Sequence, residues 1–174
     1  MLDGPERERA KVIPPKLRVV LALTASLQVG CLESKIPLGP SKDGIVDKAL
    51  LGTWKCLSPE EPPKEASLLV VAFDDRQYFA EWHEGDDVSR YRAYSSPVGR
   101  VRLLNVQPLG EREGNTAWIF LKPTVSPDGS LILDIAAEDS MKELTDKQAL
   151  VEIRRRSSDP TLFVRFASCS KEEQ

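Results

Sequence analysis

From Ala49 onward the chain is a series of short apolar runs separated by turn residues. The runs are Leu50–Leu57, Ser67–Asp74, Gln77–His83, Val88–Ser95, Arg100–Gln107, Thr116–Lys122, Ser130–Ala136 and Thr161–Cys169. They are rich in β-branched and aromatic residues, which suit a pleated, half-buried surface. Val88–Ser95 sets Tyr91 between Arg90 and Arg92, the alternation of a strand with one buried face. Ser58-Pro-Glu-Glu-Pro-Pro63 interrupts the pattern because proline cannot donate to a ladder. Glu84-Gly-Asp-Asp87 reads as a hairpin turn and Pro97-Val-Gly99 as another. In Ser126-Pro-Asp-Gly129, proline presets one torsion and glycine accepts a positive one. Turn signals about 8–12 residues apart predict an antiparallel barrel or sandwich, here with seven to nine strands.

The period changes once. Thr145-Asp-Lys-Gln148 fits a capping box, with Leu144 placed to staple onto the first turn. Ala149, Leu150 and Ile153 then share one face at helical spacing. A helix is expected from about Asp146 to Ser157, ended by Asp159-Pro160. The fold class expected is therefore mainly β with one C-terminal helix. The β domain covers about 49–170, and residues 171–174 are expected to form a frayed, disordered polar tail.

One apolar run does not belong to this series. Lys16-Leu-Arg18 is followed by Val19 to Val29, then by Gly30-Cys31. A basic flank, a short apolar core and small residues form the layout of a secretory signal. The run is about half the ~20 residues needed to span a bilayer as a helix. With its close at Val29-Gly30-Cys31, the segment resembles the bacterial lipoprotein signal, although Gln28 stands where that pattern usually has leucine. The resemblance implies that residues 1–30 are a signal peptide and that Cys31 is the lipidated, palmitate-bearing first mature residue. Leu32 follows it, where an aspartate would resemble an inner-membrane retention signal, so the outer membrane of a Gram-negative envelope is expected. Residues 31–48 hold Ser34, Pro37, Gly39, Pro40, Ser41 and Gly44 and read as a flexible tether.

Charge narrows the partners. Residues 1–30 carry five bases and three acids, so the remainder has 19 bases and 24 acids, a formal net charge of −5. A mildly acidic domain is a poor match for nucleic acid, which selects clustered positive charge. Arg154-Arg155-Arg156 is the only basic run, and it lies where arginines complement a helix C-terminus. With Cys31 lipidated, Cys56 and Cys169 remain, and an oxidising compartment favours a disulfide between them. They sit on the first and last strands, which are neighbours in a closed sheet. The plain alternative is two buried thiols.

Leu51-Gly52-Thr53-Trp54-Lys55 resembles the Gly-x-Trp opening of the lipocalins and fatty-acid-binding proteins, and the late helix is similar to the lipocalin layout. The resemblance implies a small lipocalin-like barrel. The plainer role for Trp54 is a core residue filling the barrel base.

No motif names a reaction. His83 lies at a strand end in Glu81-Trp-His-Glu-Gly-Asp-Asp87. The plain reading is an exposed turn histidine. A weak cation site with Glu84, Asp86 and Asp87 matches no known loop spacing. Asp74 and Asp75 are adjacent, so on a strand they point to opposite faces. No phosphate loop, nucleophile elbow or metalloprotease pair is present. The expectation is no enzyme, no cofactor and no metal. Two readings remain: a membrane-anchored envelope protein whose β domain binds a small apolar ligand, through residues the sequence does not single out, or a filled structural or protein-interaction module.

Overall fold

The computed structural model describes residues 31–110, 117–137, 141 and 143–172. The signal segment, 1–30, lies outside them. Eight antiparallel strands close into a barrel in simple chain order. They are β1 (Gly52–Leu57), β2 (Glu65–Ala72), β3 (Gln77–Glu84), β4 (Asp87–Val98), β5 (Val101–Pro108), β6 (Ile119–Val125), β7 (Leu131–Ala136) and β8 (Phe163–Lys171). One α-helix, α1 (Asp146–Arg156), lies between β7 and β8. The odd-numbered strands run towards one end of the barrel, termed here the upper end, and the even-numbered strands run back to the lower end.

Alternation divides the strand residues into two cores. Trp54, Cys56, Leu68, Tyr78, Ala93, Val106, Leu131 and Leu133 point inward and form the interior core with Leu50. Leu103, Phe120, Ala136 and Phe163 belong to a second cluster outside the barrel. There Ala149, Leu150 and Ile153 of α1 cover them, so this part of the wall is buried on both faces. The helix start is as expected: the Gln148 side chain accepts the backbone N–H of Thr145 at 2.9 Å.

Two strands run through prolines, one of them Pro97 of the expected Pro97-Val-Gly99 turn. β4 continues to Val98 through Pro97, and β6 extends to Val125 through Pro123. β3 pairs with β4 only up to Tyr94, and β5 pairs with β6 only over Ile119–Leu121. Beyond those points each strand has one neighbour, so the missing N–H of proline faces no partner. The turn after β4 falls at Gly99, whose φ is 61°. At the other end of the register, β8 has a bulge opposite Leu133 and Asp134. The extra residue there lets Phe166 and Ala167 both join the interior.

Cys56 and Cys169 are cross-strand partners and form a disulfide, with Cα atoms 4.0 Å apart and a sequence separation of 113. It joins the first and last strands, as expected.

Two expectations are corrected. Residues 31–48 are no flexible tether. The segment is laid along the outer wall from the upper end to the lower: Leu32 donates to Ala136 O at 3.1 Å, and Ser34 and Trp118 exchange backbone hydrogen bonds at 2.9 and 2.7 Å. Leu32, Ser34 and Leu38 are buried while Glu33 and Lys35 are exposed, the alternation of a chain with one face against a surface. Prolines and glycines signalled a break in strand pairing, but Leu32, Ser34 and Leu38 still pack one face of the segment against the wall. Nor is the C-terminal tail wholly frayed: Glu172 donates to Thr53 O at 2.9 Å, and the Lys171 ammonium lies 5.3 Å from the centre of the Trp54 ring. Residues 173 and 174 lie outside the described residues.

Candidate functional site

The site is the barrel interior. At its lower end, Leu50 sits in a short 3-10 turn, Lys48–Leu50, and its carbonyl accepts the Trp54 indole N–H at 3.1 Å. Trp54 is therefore a buried plug at the barrel base, the plain role expected of the Gly-x-Trp residue. Tyr78 stands beside it. Its hydroxyl accepts Asp47 N–H at 2.6 Å and donates to Ile45 O at 3.2 Å, and burial pushes its pKa upward.

Above this floor lies an apolar cavity of about 100 Å³. Its walls include Leu68, Val70, Ala80, Ala93, Val106, Leu121, Leu131 and Leu133. None of the residues lining it carries a charge. Trp82, Tyr91, Ile119 and Phe166 form its upper part and are half-buried. The Trp82 and Phe166 rings meet across it with centroids 5.2 Å apart. Leu50, Tyr78 and Leu104 also line a second, polar-edged cleft of about 520 Å³ at the lower end, between residues 45–48 and Ser95, Arg102 and Pro123. These three side chains are the partition between cavity and cleft.

The strap over residues 31–48 is fixed by polar contacts that close the lower end. Asn105, fully buried in β5, accepts Leu38 N–H through Oδ1 at 2.7 Å and donates to Tyr94 O at 3.3 Å and Ser96 Oγ at 2.9 Å. The Tyr94 hydroxyl donates to Gly39 O at 2.7 Å, and desolvation pushes its pKa up to about 12. Ser95 Oγ accepts Ile45 N–H at 3.2 Å and donates to Ile45 O at 2.8 Å. These partners satisfy the backbone of the strap where it is buried.

The remaining candidates have local partners. His83 Nε2 lies 3.4 Å from the Glu81 carboxylate, which Arg90 grips at 2.8 Å, and that guanidinium holds the Glu81 pKa down. Glu84 pairs with Lys64 at 3.7 Å. Among the described residues, no three His, Cys, Asp or Glu side chains converge on a cation position. Asp74 closes the β2–β3 turn by accepting Arg76 N–H at 2.7 Å and Gln77 N–H at 2.8 Å, so it serves the turn rather than Asp75. The arginine run is divided: Arg154 donates to Leu38 O, Arg155 pairs with Glu152, and Arg156 pairs with Asp159 at 2.8 Å. Cys31 is exposed at the upper end, bridged through its backbone to Ala137.

The lining residues were hidden in the sequence because any inward-facing strand residue qualifies until register is known. The strap did leave a signal, the single asparagine within the apolar run Val101–Val106. A buried amide needs a partner, and its partner is the strap. No helix among the described residues is long and apolar enough to cross a membrane. Comparison of the chain with protein-family models, with curated proteins and with solved structures finds no match.

Proposed function

We propose that this protein is a lipocalin-like lipoprotein of the bacterial cell envelope, held in the membrane through lipid on Cys31, and that its barrel binds a small apolar ligand. The observation that carries the binding reading is the charge-free cavity of about 100 Å³ inside a closed barrel. Apolar cavities of this kind stay dry and take apolar guests. This one is smaller than the ~150 Å³ that accepts a benzene ring, so the ligand is slender, or it inserts only a slender tail. With neither charge nor metal cluster at the cavity, the reading assigns binding rather than catalysis.

The anchoring reading rests on the sequence, with its basic flank, short apolar run and Val29-Gly30 before Cys31. One acyl chain holds a protein to a membrane only weakly, whereas several chains hold it stably. The outer membrane is the proposed location, from Leu32 after the cysteine.

A second reading has its own observation. The Trp82 and Phe166 rings touch inside the barrel, with centroids 5.2 Å apart, a contact that suits a structural or protein-binding module with a packed core. A lipid-extract binding screen with mass-spectrometric readout separates the two. Recovery of one apolar species per barrel supports ligand binding, and an empty barrel under saturating extract supports the filled module. For the anchor, Cys31→Ser should move the protein from the membrane fraction to the soluble one. An unmodified Cys31 in the parent protein, with unchanged membrane association, removes the lipoprotein reading.

A further inference from the structure

We propose that the upper rim of the barrel faces, and rests on, the lipid surface that holds Cys31. This rests on the lipidation reading above and adds an orientation to it. An 18-residue coil would let the barrel tumble, since its mean span is roughly 5–6 Å times the square root of its length. The strap removes that freedom. Cys31 is bridged to Ala137, Leu32 is bonded to Ala136 O, and Ser34 is bonded to Trp118 three residues after the attachment point. Leu38 is then locked to Asn105. The lipid therefore leaves the fold about one strand spacing, ~5 Å, from the end of β7. With no slack between anchor and barrel, the end carrying Cys31 is the end brought to the bilayer.

That rim has the surface the orientation calls for. Leu57 at the end of β1, Val88 at the start of β4 and Leu109 just after β5 are 48, 44 and 44% exposed. Register places all three on the outward face of the wall. The lower end also exposes apolar side chains, Phe73 and Ile45, but the strap carries the anchor away from them. Charge selects the kind of lipid. In the two hairpin loops of this end that are described throughout, Glu84, Asp86, Asp87, Glu60 and Glu61 stand against Lys64, which pairs with Glu60 and Glu84. These loops are repelled by anionic headgroups, so the partner is a zwitterionic lipid surface.

The test uses the full lipidated protein in phosphatidylcholine vesicles. A fluorophore is attached in turn after Val88→Cys, Leu109→Cys, Phe73→Cys and Ile45→Cys, all exposed positions, and quenched by lipids carrying a nitroxide near the headgroup. Labels at 88 and 109 should lose most of their emission, and labels at 73 and 45 should lose little. Adding phosphatidylglycerol should reduce the quenching at 88 and 109, and salt should restore it. The mass of the N-terminal peptide is read on the same samples. Modified Cys31 with equal quenching at both ends, or stronger quenching at 73 and 45, overturns the orientation and leaves the anchor standing. An unmodified Cys31 overturns both.

Discussion

The backbone amide of Leu38 donates to the side chain of Asn105 at 2.7 Å across 67 residues of chain. This buried bond turns the segment after Cys31 from a linker into part of the wall. Asn105→Leu removes the acceptor and leaves Leu38 N–H, Tyr94 O and Ser96 Oγ with lost partners. The expected cost is about 1–3 kcal/mol. Hydrogen exchange at Leu32, Ser34 and Leu38 should accelerate while the strand amides of β1–β3 stay protected. Unchanged exchange in the strap would show that its leucines alone hold it.

The disulfide fastens the chain ends of the barrel. Chain-entropy arguments give about 4–5 kcal/mol for closing a loop of this length, and removal of native bridges typically costs about 2–5 kcal/mol. The double variant Cys56→Ser, Cys169→Ser should lose stability in that range in denaturant titration. Non-reducing peptide mapping of the purified protein should recover the two cysteines as one linked pair, and alkylation of both without reductant would contradict it.

Much of this architecture was legible in the sequence, and the reasons are specific. Period-2 runs fixed eight strands within a few residues, and Thr145-Asp-Lys-Gln148 fixed the start of α1. The turn expected at Pro97 failed because a proline is harmless where a strand has only one neighbour, and neighbour count is a property of the closed sheet. The bulge that turns Phe166 inward depends on the register of β8 against β7 and leaves no local mark. The cavity is likewise a property of register, since no single residue announces it.

Tyr94 ties alkaline pH to the strap. Its folded pKa is raised from 10.0 to about 12, chiefly by burial. The neutral phenol is the form the fold prefers, so its contribution is complete below about pH 10 and is lost as pH rises through about 12. Ultraviolet titration should show a late tyrosine step near pH 12 from Tyr94, beside the upward shift of Tyr78, with exchange at Gly39 and its neighbours rising over the same interval. In Tyr94→Phe that late step should vanish. A normal titration of every tyrosine in the folded protein would remove this account.

Asp159 caps the turn that leads from α1 into β8. Hydrogen bonds from the Thr161 hydroxyl and amide, joined by Arg156, lower its pKa to about 2. The charged form is the preferred one, so its stabilisation is present above the ordinary carboxylate range and is lost as pH falls through about 2. Carboxyl carbon resonances followed by NMR should place the Asp159 midpoint near 2, well below the ordinary aspartate range. A midpoint within that range would show that the cap does not form in solution.

The barrel interior is proposed to accept one slender apolar guest. Titration of the protein from Cys31 onward with a medium-chain fatty alcohol, followed by tryptophan fluorescence, tests it most directly, because Trp82 lines the cavity. Saturable binding of one molecule per barrel is the expected result. In Ala93→Leu, which fills the cavity from a buried wall position, affinity should fall at least about tenfold, roughly 1.4 kcal/mol, with the fold retained. No saturable binding, or equal affinity in the two proteins, would contradict it.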